Sequence, residues 1–282
     1  MVPAGQWRVS LDVAHGSFLT SHVAECPDVA PECATELIPP HKHVVRVALT
    51  HYETTLAYGI RDQMQLSLRL PYDVKDQHVR YTTLSGDPFT PPYGDIHHRS
   101  EKLTGIGDAT VILDRAVRDA WTFGIGTTLP IGHTVDDPVL LGREGLKHEH
   151  LQFGTGTFEP LLAAQYATPR FFARAEAKIS AYESSKGYKG PTTLVWSMGR
   201  SFRVYGLSID PSLNGQHQTL GHWHGEQDEG SGFDNGGVRL QVAIPRGALT
   251  ITPGLYHELW SHGLGGQTFR QSTTFSVGVT IR

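Results

Sequence analysis

No stretch of this 282-residue chain stays apolar for the length of a membrane-spanning helix, which excludes a helical membrane protein. A barrel is left open, because only every second residue of a barrel strand meets lipid. Basic runs are also missing. The 24 Lys and Arg against 28 Asp and Glu give a net charge of −4, and a nucleic-acid partner is not expected. Cysteine is scarce: Cys26 and Cys33 are the whole complement, separated by a short Pro-containing segment. A local disulfide in an oxidising compartment is the preferred reading, and two reduced, unrelated thiols are the alternative. The first residues carry neither the basic start nor the apolar stretch of a secretory signal and run straight into a strand pattern. An exported chain is therefore expected here in mature or trimmed form.

Helical periodicity is sparse, and alternation of apolar and polar residues takes its place. Trp7, Val9, Leu11 and Val13 alternate with Arg8, Ser10 and Asp12; Met64, Leu66, Leu68, Leu70 and Tyr72 alternate with Gln65, Ser67 and Arg69. Ala173, Ala175 and Ala177 alternate with Arg174, Glu176 and Lys178, and Phe275, Val277, Val279 and Ile281 close the chain in the same rhythm. Such period-two patterning marks strands with two different faces. Twelve are expected, at 6–15, 44–58, 63–77, 108–116, 121–130, 157–167, 171–183, 192–202, 204–212, 236–244, 248–260 and 269–281, in a single domain over 1–282. The turn around Arg203 is the tightest fit, and a single long bent strand is the alternative there.

Connections between these strands alternate short and long without exception. The short ones fall at 59–62, 117–120, 168–170, around 203 and at 245–247; the long ones at 16–43, 78–107, 131–156, 184–191, 213–235 and 261–268. In an up-and-down antiparallel meander that places every tight turn at one end, as in outer-membrane barrels with short periplasmic turns and long extracellular loops. Tyr58, Trp121, Tyr166, Phe171, Phe202 and Tyr205 flank the short turns, while Tyr72, Phe158, Tyr182, Trp260 and Phe269 lie toward the long loops. Two aromatic rings are what two membrane interfaces select. Because hydrocarbon offers no hydrogen-bonding partner, the first and last strands are expected to pair and close the barrel. The location implied is the bacterial outer membrane.

Several short motifs follow in a recognisable order: Tyr58-Gly59-Ile60-Arg61-Asp62, Arg69-Leu70-Pro71-Tyr72, Gly105-Ile106-Gly107-Asp108, Leu129-Pro130-Ile131-Gly132 and Gly154-Thr155-Gly156-Thr157-Phe158-Glu159-Pro160. In this order the chain resembles the outer-membrane transporter family linked to the meta-pathway of phenol degradation. The resemblance implies a barrel associated with passage of hydrophobic or aromatic compounds. The chain departs from it in ending Val279-Thr280-Ile281-Arg282, without a terminal aromatic, and in its histidine-rich loops.

Charge on a lipid face is costly, so the charged members of the alternating rows belong inside. The expected lumen set is Arg8, Asp12, His51, Glu53, Arg69, Asp114, Glu159, Arg174, Glu176, Lys178, Arg239 and Glu258. It reads as a polar channel lining or as a packed ion-pair network. Histidine is the second feature: of 16, most fall in or beside the long connections, with pairs at His41 and His43, His97 and His98, His148 and His150, and His222 and His224. Alternate imidazoles on an extended segment point to one side, and they suit zinc, copper or nickel. Solvated or pH-responsive loop histidines are the plainer alternative.

An enzyme is not expected. Ser261, His262, His257 and Glu258 sit near one rim, but consecutive strand residues face opposite ways, and no nucleophile elbow or phosphate loop stands in a workable context. The function read from the sequence is a passive outer-membrane channel for small hydrophobic or aromatic molecules. The rival is a surface metal-binding barrel. No cofactor is expected apart from a divalent metal at the loop histidines. The partners expected are membrane lipid and a small-molecule cargo, with a homo-oligomer or a loop-docked protein as further options.

Overall fold

The computed structural model describes residues 1–24, 38–91, 99–118, 120–265 and 268–281, with only the backbone described at Ala24, Thr268 and Phe269. Cys26, Cys33, His97 and His98 lie outside the described residues, and with them the expected disulfide and one histidine pair.

Twelve antiparallel strands close into a barrel in chain order. Strand 1 is Trp7–Ala24, strand 2 His41–Arg61 and strand 3 Met64–Thr83. Strand 4 has two parts, Glu101–Ile106 and Ala109–Val117, and strand 5 is Trp121–Leu129. Strands 6, 7 and 8 are Pro160–Ala167, Phe171–Lys178 and Thr193–Arg200. Strand 9 is Leu207–Gln218, strand 10 Phe233–Arg246 and strand 11 Leu249–Gly263. Strand 12 comprises Thr268–Gln271 and Thr274–Ile281. The seam closes where Val9 lies opposite Ile281 and His15 opposite Phe275, so no strand edge is left to lipid.

The wall is uneven in height. Strands 1 to 3 run 18, 21 and 20 residues, against eight or nine for strands 5 to 8. The stretches 16–24, 41–43 and 78–83, expected as loop, are therefore wall. Alternation disappears there because the outer face has left the apolar band and the inner face is polar too, with enclosed His41, His43 and Gln77. Outward residues change from apolar to charged at Arg46, Asp76 and Lys102, about ten residues above the Tyr58 turn end, which matches an apolar band of about 25 Å. The expected loops at 78–107 and 213–235 shrink accordingly, to 84–100 and 219–232.

The turn near Arg203 is also displaced. Phe202–Val204 pairs with the start of strand 9, and the chain reverses at Tyr205 and Gly206, both at positive φ (49° and 81°). Two successive left-handed residues fit a hairpin turn whose twist matches its strands. Tyr205 gives no sequence signal for that geometry.

Outside the barrel the apolar rows stand fully open. Ile125 and Phe275 are each 63% exposed and Leu162 is 52% exposed. Trp7 packs on Tyr58 at 4.8 Å and Trp121 on Tyr166 at 5.1 Å, forming the ring at the short-turn end; Tyr52 and Tyr72, at 6.1 Å, mark the other. A protein surface in water does not carry an apolar belt of this extent, whereas lipid requires one.

Candidate functional site

Register places the twelve charged residues expected in the lumen on the inner face. Arg8 lies opposite Ala57, which is fully enclosed, and Asp12 lies opposite Glu53. His51 Nδ1 donates to the carboxylate of Asp73, also inward, at 2.7 Å. Asp114 is opposite Gln65, which donates to it at 3.2 Å. Arg239 is opposite Tyr256, two residues from inward Glu258, and the Glu258 carboxylate accepts from the Gln271 backbone N–H at 3.0 Å.

At mid-height the lumen is crossed. Arg69 on strand 3 donates to Glu176 on strand 7 at 2.7 Å, although three strands lie between them along the wall. Arg174 donates to the same Glu176 oxygen at 2.6 Å. This chord narrows the interior and leaves the triad with a net positive charge. Beside it Lys178 pairs with Glu159 at 3.1 Å, and the Glu159 side chain is 1% exposed. Toward the short turns a cavity of about 210 Å³ is lined by Arg8, Gln65, Asp114, Gln165 and Arg174 among others.

The two halves of the wall differ. Inward Gln65, Ser67, Ile112, Thr128, Glu159 and Leu161 are buried, covered by residues 1–3 below and by the 130–159 loop above. Inward Asp12, Arg174 and Val195 keep exposed surface. The barrel is filled on one side and open on the other.

The 130–159 loop is fastened by Asp108, whose carboxylate accepts from the backbone N–H groups of Gly132 at 2.9 Å and Thr155 at 2.7 Å. The break in strand 4 thus has a purpose: it turns Asp108 toward the loop. Lys75 lies over the Phe153 ring at 4.4 Å and donates to the Gln152 carbonyl, and Arg99 donates to the His148 carbonyl at 2.6 Å. Arg99 also pairs with Glu101 at 2.6 Å and Glu149 at 3.6 Å. Burial and the neighbouring Glu101 push the Glu149 carboxyl up to about 7.

The histidines divide into two groups. His41 and His43 are completely enclosed at the long-loop end of the lumen, with their Nε2 atoms 3.1 Å apart. His22, opposite His43 on strand 1, brings its ring to 4.9 Å from it. His22 is not singled out in the sequence because no second histidine stands beside it there. Phe89 and Tyr81 close the layer at 4.7 Å from His41 and 4.8 Å from His43. His148 and His150 approach from the loop, with rings 5.1 Å apart. His222 and His224 are elsewhere, on a small external sheet of Tyr188–Lys189, Gly221–Trp223 and Glu226–Asp228. His224 there faces Asp137 at 3.8 Å, and Tyr188 packs on Trp223 at 4.7 Å. Among the described residues no three His, Cys, Asp or Glu side chains already form a ready-made metal cage. The rim residues His257 and Glu258 face opposite ways, as alternation requires: His257 points outward to Thr273 Oγ1 at 3.0 Å, and Glu258 points inward.

No protein-family profile matches the sequence, and no curated protein does. Among solved structures, an outer-membrane channel from Pseudomonas putida F1 aligns with 100% of this chain and 96% of its own, at 12% identity and a TM-score of 0.56. The toluene transporter TodX from P. putida aligns with 99% of this chain and 90% of its own, at 10% identity and a TM-score of 0.46. A FadL homologue from Pseudomonas aeruginosa aligns with 97% and 90%, at 9% identity and a TM-score of 0.46. The first match shows an outer-membrane barrel fold and nothing finer; the other two superpose too loosely to add to it.

Proposed function

We propose that the protein is a passive outer-membrane channel for small hydrophobic or aromatic molecules. The observation that carries this reading is the open inner face inside a closed wall, where Val195 points into the lumen and is still 40% exposed. A barrel packed solid would bury such a residue. The interior is not a wide aqueous pore, because the Arg69 and Glu176 chord crosses it. Small cargo suits that cross-section. The half-buried rings of Tyr81 and Phe89, backed by the enclosed His41 and His43, place aromatic edges at the outer end, which suits a flat apolar cargo. The resemblance of the Gly-Asp and Leu-Pro motifs to the phenol meta-pathway transporters points the same way.

The test is uptake across a lipopolysaccharide-bearing outer membrane. Bacteria expressing the protein should take up radiolabelled toluene faster than matched cells without it. Equal uptake, with the barrel shown to be folded and inserted, rules the cargo class out.

A further inference from the structure

We propose that the outer face of the tall wall, at Lys42, Arg46, Arg80, Lys102 and Arg270, is a docking surface for the phosphorylated sugar headgroup of the outer leaflet's glycolipid, the lipid A part of lipopolysaccharide. Register brings the five together. Arg270 of strand 12 and Arg46 of strand 2 stand on either side of Leu19 in one row. Arg80 of strand 3 lies opposite Val44, one outward row higher, and Lys42 lies opposite Val23, one row above that. Lys102 of strand 4 is opposite Asp76, one row below Arg46. Neighbouring strands lie about 4.8 Å apart and alternate residues about 6.8 Å along a strand, which puts the Arg46 backbone about 8 Å from Arg80 and about 10 Å from Arg270.

Charge marks this face off from the rest of the wall. Arg46, Arg80, Lys102 and Arg270 are exposed and Lys42 is half-buried. Among the described residues none of the five pairs with a carboxylate, and the acid that stands between them, Asp76, faces His78 at 3.5 Å. On strands 5 to 11 the outward rows carry no Lys or Arg above mid-height, and His217 and Asp234 there satisfy each other at 2.6 Å. Guanidinium groups present forked donors that match phosphate oxygens, and they are more weakly hydrated than ammonium groups.

Height selects the lipid. The patch begins directly above Tyr52 and Tyr72 in the upper aromatic ring, so it meets headgroups and not hydrocarbon. From the row of Lys102 to that of Lys42 it climbs six residues, about 20 Å along the strands and about 15 Å along the membrane normal at the usual strand tilt. A phospholipid leaflet has a headgroup layer only about 5–8 Å deep, too thin to reach every cation. A disaccharide with a phosphate at each end is deep enough to engage two rows at once. Leu19 and Val23, 44% and 53% exposed between the cations, face the aliphatic sides of the sugar rings. A row of cations beside a membrane interface is the usual footprint of an anionic lipid headgroup.

The experiment uses the full chain, folded in detergent and freed of lipopolysaccharide. It is titrated in mixed micelles with diphosphorylated lipid A, with the same lipid stripped of its phosphates, and with phosphatidylglycerol, and bound lipid is counted by native mass spectrometry. Saturable binding of diphosphorylated lipid A is expected, at least about tenfold tighter than either of the other two. Each cation beside an anionic lipid surface is worth about fivefold in affinity, so the triple variant Arg46→Ser, Arg80→Ser, Arg270→Ser should lose about 100-fold. Arg170→Ser with Arg203→Ser, at the short-turn end, should bind like the parent. Heat-modifiable migration on a gel reports folding, and Arg46→Glu alone decides the matter if the triple variant does not fold. No saturable lipid A binding, equally tight binding of phosphatidylglycerol, or an affinity unchanged in the variants of this face overturns the assignment.

Discussion

Replacing Ile125 with arginine separates a lipid-facing wall from a water-facing one. Ile125 is 63% exposed on strand 5, flanked in register by outward Leu113 and Leu162, and it lies four residues above Trp121 in the short-turn ring. That height is about 10 Å, close to the middle of the apolar band. On a soluble protein an exposed site of this kind tolerates substitution within about 0.5 kcal/mol. At a bilayer midplane arginine on a barrel's outer face costs about 2–4 kcal/mol, which lowers the folding equilibrium by roughly 30- to 1000-fold. The assay is denaturant-driven folding into lipid vesicles. The internal control is Val23→Arg, because Val23 is 53% exposed and lies opposite Lys42, above the charged boundary. Ile125→Arg should be strongly destabilised and Val23→Arg within about 0.5 kcal/mol of the parent. Equal, small effects at both positions would refute the lipid assignment.

Arg69→Ala removes the chord while Glu176 keeps Arg174; it should cost about 1.5–3 kcal/mol and raise single-channel conductance, and an unchanged conductance contradicts the constriction. Lys178→Met strands the enclosed Glu159 carboxylate and should cost about 3–5 kcal/mol, with most of it recovered when Glu159→Gln is added; additive losses in a denaturation cycle would dismiss the pair. His43 titrates far below its unfolded value, so the stability it contributes is whole above about pH 6.5 and is lost as pH falls toward 3, at up to about 1.4 kcal/mol per unit. Glu149, raised to about 7, acts oppositely: its contribution is present below about pH 4.5 and fades as pH rises through 7. His43→Phe should flatten the acid limb of a stability–pH curve and Glu149→Gln the neutral limb, and curves parallel to the parent's would reject both assignments.

The sequence made the lipid-contacting part of this barrel readable because hydrocarbon on one side and polar lumen on the other impose a strict two-residue rhythm. Val9, Leu11 and Val13, or Phe275, Val277 and Val279, show that rhythm and sit outward as expected. Above Arg46 and Asp76 the rhythm stops, since both faces are polar, and the sequence pattern of the tall upper wall of strands 1 to 3 reads as loop. His22 has no histidine beside it in the sequence to mark it. The inner position of Glu176 follows from alternation, but its partner Arg69 does not, because a contact across the lumen depends on barrel shape, not on local spacing. Asp108 was seen as part of a Gly-Asp motif; its work as an anchor for the 130–159 loop needs the fold to be visible. The histidine pairs looked equivalent in the sequence, and topology divides them between the lumen and an external sheet.

The central claim is that this closed wall surrounds a passage. Single-channel recording of the purified protein in a planar bilayer tests it most directly. Discrete conductance steps, larger in Arg69→Ala than in the parent, are the predicted result. A bilayer that stays electrically silent with folded, inserted protein of both forms would contradict it.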